Sequence, residues 1–268
     1  MNFVALSYWD VLLAALLLTI NGGLSIWLRL RLEKELAIAA LRMVVQLALV
    51  GLILKALFTL VNPWLTALAA AVMIGFAGYE AMARQDRRLA GPWGYGLGAG
   101  AMLFAASVVT IFALTTQVQP DPWYSPRFAL PMLGMILGNC MTGVSLGLNL
   151  LFGRAAKERG GIEAMLALGY PKREAMKPLI REAVRAGLIP IVNAMAATGL
   201  VSLPGMMTGQ ILAGVDPVEA VKYQMLIMFL IAGGTALGVF TAVFAGAARL
   251  TDERHRLRLD RLAKKASD

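Results

Sequence analysis

The chain has one cysteine, Cys140, and one histidine, His255, in 268 residues. A lone cysteine excludes an intrachain disulfide and a multi-cysteine metal centre. A lone histidine in a charged tail leaves little basis for His-ligated zinc or Ser–His chemistry. No Gly-x-x-x-x-Gly-Lys-Ser/Thr run occurs, nor any Gly-Lys pair, so the glycine-rich phosphate cradle of an ATPase is missing. The stretch from Met1 to Asp10 carries no Lys or Arg before the first apolar run, which argues against a cleaved secretory signal. Charge is scarce too, at 15% of residues, where a soluble chain carries about 25%. Apolar residues fill the space: 59% are hydrophobic and the mean hydropathy is +0.69. Lipid is the solvent this composition suits, and the expected fold is an all-α, polytopic integral membrane protein.

Crossing the hydrocarbon takes about 20 apolar residues per helix. Seven candidate spans meet that need: Val11 to Leu28, Leu36 to about Leu60, Trp64 to Ala83, Gly94 to Thr116, Phe128 to Phe152, Ala186 to Gln210, and Val221 to Ala248. The runs are continuous rather than alternating at period two, which argues against a barrel. The whole chain, 1–268, reads as one transmembrane domain, with a cytoplasmic loop at 153–185 and a basic tail at 249–268. The loop from Gln117 to Arg127 holds Pro120, Pro122 and Pro126 and is expected to be short and extended.

Orientation follows from the basic residues. Three fall between spans one and two, three between spans three and four, eight from Arg154 to Arg185, and seven in the tail. With seven spans these 21 of the 25 lie on one side, while Arg127 and Lys222 lie on the other. The positive-inside rule then puts the N-terminus outside and the C-terminus in the cytoplasm, in a plasma (inner) membrane. The net charge of +9 is therefore mainly a topology signal, and nucleic acid is not an expected partner.

The cytoplasmic loop carries the most information. Ile162 to Leu168 reads as a short helix ended by Gly169. Tyr170-Pro171 turns the chain, and Pro171 is placed to open the next helix at its first position. That helix puts Met176, Leu179, Ile180, Ala183 and Val184 on one face, with Lys172, Arg173, Lys177 and Arg181 opposite. Two short amphipathic helices at such an elbow form either a compact knob or a basic loop lying on anionic lipid.

Glu163-Ala164, with Gly169 and then Tyr170-Pro171-Lys-Arg, resembles the coupling loop of ABC transporter permeases. More fully, the chain resembles the FetB-type iron-export permease family, together with plant aluminium-tolerance permeases. The resemblance runs through Pro131 to Asn149 and Gly199 to Gly214, with Arg42, Gln46-Leu47 and Lys222-Tyr-Gln224. One departure is the absence of the Ile-x-Leu-Pro ending of importer loops, replaced here by Leu179-Ile180-Arg181-Glu182. The resemblance implies that Glu163, Ala164, Gly169, Tyr170 and Pro171 dock on an ATPase subunit. It implies two permease copies, a homodimer, with two ATPase copies. ATP and magnesium would be held by those subunits, with no cofactor on this chain, and the cargo would be an exported metal, iron foremost.

Polar groups inside a bilayer are costly unless partnered or functional. Arg42 and Gln46 lie one turn apart on one face of span two, with Arg42 either snorkelling to the interface or serving at a gate or facing an anionic chelate. Asn139, Thr142, Ser145 and Asn149 fall within about 120° of one helix face, either as helix glue or as the wall of a translocation pathway. The pairs Gly134/Gly138 and Gly143/Gly147 have the spacing that permits close helix approach. Pro190 and Ser202-Leu-Pro204-Gly205 break span six, and broken membrane helices often mark a substrate route. Asn193, Met206 and Met207 are expected along that route. The clustered methionines suit soft metals but also fill cores, so they leave the metal's identity and its ligands open. A secondary transporter or channel is the alternative. It calls for buried carboxylates, whereas Asp10 and Glu80 lie near span ends. No constellation for an intramembrane enzyme is present.

Overall fold

The computed structural model describes residues 7–264. Residues 1–6 and the end of the expected basic tail, including Lys265, lie outside the described residues. Among those described, nine α-helices are joined by short turns and one two-stranded ladder. Six of the helices are long and apolar enough to cross a membrane, so the chain is a polytopic helical membrane protein. It divides into two units, Met1–Leu60 and Val61–Asp268.

The first unit is a helical hairpin of α1 (Tyr8–Trp27) and α2 (Glu33–Leu60). Ser7 and Asp10 form a capping box at the start of α1, which accounts for the acid at that span end. The connecting turn is clasped by Ser25. Its hydroxyl donates to Glu33 Oε2 at 3.1 Å and accepts the Leu32 N–H at 3.0 Å.

The second unit is a bundle of α3 (Pro63–Ala83), α4 (Pro92–Phe112, extended by a π-turn at Ala113–Val118), α5 (Pro126–Lys157), α7 (Lys172–Ala197) and α9 (Pro217–Arg249). Two short helices accompany it, α6 (Arg159–Ala167) and α8 (Gly205–Leu212). The bundle is built around α5, whose packed faces hold Ile136, Cys140, Val144, Leu148 and Leu151, each no more than 1% exposed. Met73 meets Gly134, and Ser145 reaches the Ala81 carbonyl, so α3 runs parallel to α5. Ile136 lies against Gly234, Cys140 against Gly238 and Leu148 against Gly246, so α9 is also parallel to α5. Gly143 faces Gly187 and Gly147 faces Ala183, so α7 runs the opposite way between α5 and α9. At that crossing a Cβ on Gly187 would stand 2.7 Å from the Gly143 carbonyl oxygen and 2.8 Å from a Val239 methyl. Only a residue without a side chain lets the two backbones come so near.

The sixth expected span is corrected by the structure. Ala186 to Gln210 is not one helix: α7 begins at Lys172, ends at Ala197, and is followed by a turn through Pro204 before α8. The physical cause is local. Gly199 has φ +89, and the Val201 and Ser202 N–H groups both return to the Ala197 carbonyl, closing the helix. The first half of α7 is strongly charged, so it is not among the six apolar helices, although it packs along the bundle as they do. The second helix of the knob is thus no short element: 26 residues make it ~39 Å long.

The tail is the other surprise. Within the basic tail, Leu262–Lys264 (β2) pairs antiparallel with Arg87–Leu89 (β1), the loop between α3 and α4. Leu257, Leu259 and Leu262 pack half-buried against the core. The α3–α4 loop, the start of α7 and the tail therefore lie together at one end of the bundle.

Candidate functional site

Two regions carry the residues of interest, at opposite ends of α7. At the first, α6 stops in a paired-bond cap. The Tyr170 N–H bonds the Met165 carbonyl (3.1 Å) and the Gly169 N–H bonds that of Leu166 (3.1 Å). This is the Schellman arrangement, and it sets Gly169 at φ +88, where a β-carbon is strained. Pro171, extended, is the residue capping α7 rather than its first helical position. Its fixed φ turns the chain sharply from one helix into the next. Ile162 is 3% exposed and anchors α6 below, while Ala175, Met176 and Leu179 anchor the first turns of α7. Above them Leu168 is 78% and Tyr170 47% exposed, and Ala164 is also exposed. Glu163 pairs with Arg159 Nε at 2.8 Å along the rim. The elbow thus presents an apolar tip with a charged edge on a rigid mount.

The mount is braced from two sides. Arg154, near the end of α5, is paired with Glu158 and Glu182. The tail holds the start of α7, since the Lys172 N–H donates to His255 Nδ1 (3.2 Å) and Lys172 Nζ to the Asp252 carbonyl (3.1 Å). The Asp252 carboxylate accepts the backbone N–H of Arg256 and of Arg254 and the Arg256 Nε, which together lower its pKa. Asp260 is brought down to about 2, chiefly by hydrogen bonds from the Arg258 guanidinium.

The polar stripe of α5 separates into two pairs. The Asn139 amide donates to the Met135 carbonyl (2.9 Å) and the Thr142 hydroxyl to that of Gly138 (3.1 Å), so these bonds stay within their own helix. Both residues are half-buried, beside exposed Gly138 and Leu146. Ser145 and Asn149 instead reach across to the end of α3. Ser145 Oγ lies 3.5 Å from the Ala81 carbonyl. Asn149 accepts the Asp86 N–H at 2.9 Å and donates to its carboxylate at 3.3 Å. Arg42 and Gln46 lie one turn apart on α2, in the first unit.

The far end of α7 adds a cavity of about 390 Å³ between α7, α8 and α9. Met207, in the first turn of α8, lines it with Met195, Met225, Met228 and Gln224. Gln224 is 7% exposed and its Oε1 has no hydrogen-bond partner among the described residues. Met206 is half-buried beside Met207, and Asn193 is exposed on α7. Among the described residues no three of His, Cys, Asp and Glu converge on one point, and the donors lining this cavity are the Gln224 amide, the Thr198 hydroxyl and the methionine thioethers.

Comparison with known proteins places this architecture. Residues 8–251 match the family described as "Uncharacterised protein family (UPF0014)". The chain belongs to UPF0014. One relative, the UPF0014 membrane protein slr1647 of Synechocystis, is 42% identical over 206 residues, covering 76% of this chain and 78% of its own. The probable iron export permease protein FetB of Escherichia coli is 33% identical over 245 residues, 88% and 89% of the two chains. The UPF0014 membrane protein STAR2 of rice is 32% identical over 237 residues, 86% and 81%. No solved structure matches.

Three features of this UPF0014 chain escape a reading of its sequence. Leu168 looks like one more apolar helix residue, because hydropathy does not distinguish a tip from a core. Gln224 in α9 is a polar residue inside a span, and the cost of a polar group in lipid is the signal that marks it. The tail clasp had a visible trace as well. Leu257 and Leu259 alternate with Arg256 and Arg258 at period two, which is an extended pattern within a charged run.

Proposed function

We propose that this chain is the permease subunit of an ABC transporter and exports metal ions, iron foremost, on ATP hydrolysed by a separate subunit. The observation that carries this is the elbow. An exposed Leu168–Tyr170 tip stands on a Schellman turn at the head of a helix that runs the length of the bundle. Force applied at the tip by a closing ATPase dimer would pass directly into α7. From there it reaches the Gly143–Gly187 contact with α5 and the Val239 contact with α9. The relative named as a probable iron export permease supports the same assignment and the metal cargo. Two copies of this chain would pair with two ATPase subunits in a plasma membrane. Counting α7 as a crossing gives seven, with the N-terminus outside and the knob, the α3–α4 loop and the tail in the cytoplasm. That side carries the basic residues, as the positive-inside rule requires.

On this assignment the cargo path follows the open face of α5 past Asn139 and Thr142. Asn193 and Met206 flank its course to the methionine-lined cavity, where Met207 and the Gln224 oxygen replace part of the ion's hydration shell. Ser145 and Asn149 hold the wall of that path to α3. Arg42 and Gln46, one turn apart on α2 of the first unit, serve in gating. The test is co-expression with the partner ABC ATPase, followed by co-purification and iron(II) uptake into inverted vesicles. ATP-dependent uptake is expected, and Gly169→Val should abolish it together with co-purification. ATP-independent uptake, or normal uptake by the Gly169→Val complex, would overturn the assignment.

A further inference from the structure

The tail clasp borders an open concavity of about 710 Å³ at the knob end of the bundle, and five cationic side chains line it: Lys172, Arg249, Arg254, Arg256 and Arg261. The acidic groups on the same wall are Asp252 and Glu253. The Asp252 carboxylate is already engaged within the clasp, its oxygens 2.8–3.0 Å from the N–H groups of Arg254 and Arg256. Lys172 Nζ donates to the Asp252 carbonyl at 3.1 Å and Arg261 Nη1 to the Arg249 carbonyl at 2.8 Å. Carbonyls orient these cations without neutralising them. The Arg249 guanidinium sits over the Trp93 ring, 3.2 Å from its centroid, in a cation–π contact that fixes it at the rim. The concavity therefore holds a preorganised excess of positive charge, which an anion would relieve.

Its position narrows the choice of anion. Trp93 lies at the start of α4, and Ala245 and Ala248 lie in the last turns of α9, where the apolar helices give way to charged segments. That boundary is the headgroup level, the depth at which tryptophan is enriched in membrane proteins. The apolar rim of Trp93 and the two alanines offers a place for glycerol and the first acyl carbons beside the cations. Basic pockets between membrane helices on the cytoplasmic side are a recognised setting for anionic headgroups.

We propose that this concavity binds the phosphate of an anionic phospholipid, and that the bound lipid locks the tail onto the start of α7 beneath the elbow. Lys172 belongs both to the lipid pocket and to the first turn of α7, so occupancy stiffens the mount of the knob. Lipid binding at this site requires neither cargo nor the ATPase subunit.

The test uses the full chain, purified in detergent and stripped of lipid, and titrated with phosphatidylglycerol. Binding is read by native mass spectrometry and thermal shift, with phosphatidylcholine, glycerol phosphate and inorganic phosphate as the other arms. Phosphatidylglycerol should be retained and raise the melting temperature, while phosphatidylcholine should not. Arg249→Gln and Arg254→Gln should each weaken phosphatidylglycerol about tenfold or more, as loss of a charge-assisted bond implies. Glu253→Gln should strengthen it. If Arg249→Gln unfolds the chain, the exposed positions 253 and 254 still decide. Equal binding of the two lipids, or unchanged affinity in Arg254→Gln and Glu253→Gln, would overturn the site. Inorganic phosphate binding as tightly as the lipid would make it a free-anion pocket and overturn the lipid assignment.

Discussion

Replacing Gly187 by alanine probes the contact through which α7 would move α5 and α9. The new Cβ would lie 2.7 Å from the Gly143 carbonyl oxygen and 2.8 Å from a Val239 methyl. The first neighbour is backbone and cannot swing aside, so α7 must retreat by roughly 0.7 Å, from 2.7 Å to the 3.4 Å of ordinary contact. A gap of about 0.5–1 Å forfeits a quarter to a half of the dispersion well for every atom pair along the seam. Overpacking of this kind costs about 1–3 kcal/mol. Alanine also gains up to about 1 kcal/mol of helix propensity, so the net destabilisation should fall near the lower half of that range. At about 2–4 °C per kcal/mol for a chain of this size, melting in detergent should fall by roughly 2–8 °C. Gly138→Ala is the control, because nothing lies within 4 Å of its added Cβ. It should leave the melting temperature unchanged or raise it slightly. Gly143→Ala attacks the same contact from α5, so the double variant should cost less than the sum of the two singles. A Gly187→Ala protein as stable as Gly138→Ala would refute the close approach of α5 and α7.

The two pairs of the polar stripe should respond differently. Asn149→Leu removes the acceptor of the exposed Asp86 N–H and should lower melting by an amount corresponding to about 0.5–1.5 kcal/mol. Asn139→Leu loses a bond within its own helix, and should spare stability while abolishing metal transport in vesicles. A reporter fused after Gly160 should read cytoplasmic and one after Asp121 external; the reverse at either site would sink the seven-crossing topology. The contribution of Asp252 and Asp260 to the tail clasp should be insensitive to pH above about 4. Asp260 has its pKa lowered to about 2 and that of Asp252 is also lowered, so their stabilisation is complete above the ordinary carboxylate range and fades as pH falls through the folded values. Pepsin should therefore cut the tail readily only below about pH 4. Asp252→Asn should expose the arginines of the clasp to trypsin even at pH 8, and equal trypsin resistance of the two proteins would remove Asp252 from the clasp.

Hydropathy alone determined that this chain lives in lipid and roughly where six of its helices lie, because a bilayer forces every apolar stretch of sufficient length into a helix whatever its neighbours. The elbow was legible for a similar reason. A glycine after a short amphipathic run, followed by proline, restricts the backbone locally, and Gly169 adopts the left-handed turn without tertiary help. The course of α7 was not local. Its basic first half and Pro178 and Pro190 would break a lone helix, and packing of Ala183 and Gly187 against α5 and α9 holds it as one element. The tail was likewise settled by contacts far apart in sequence, β2 against β1 and His255 against Lys172, which alternating leucines could suggest but not locate. The same holds for the four polar residues of α5. Their spacing placed them on one face, but only the position of α3 decided that Ser145 and Asn149 have partners across the bundle while Asn139 and Thr142 bond within their own helix. Periodicity specifies which residues share a face, and the neighbouring helices specify what that face meets.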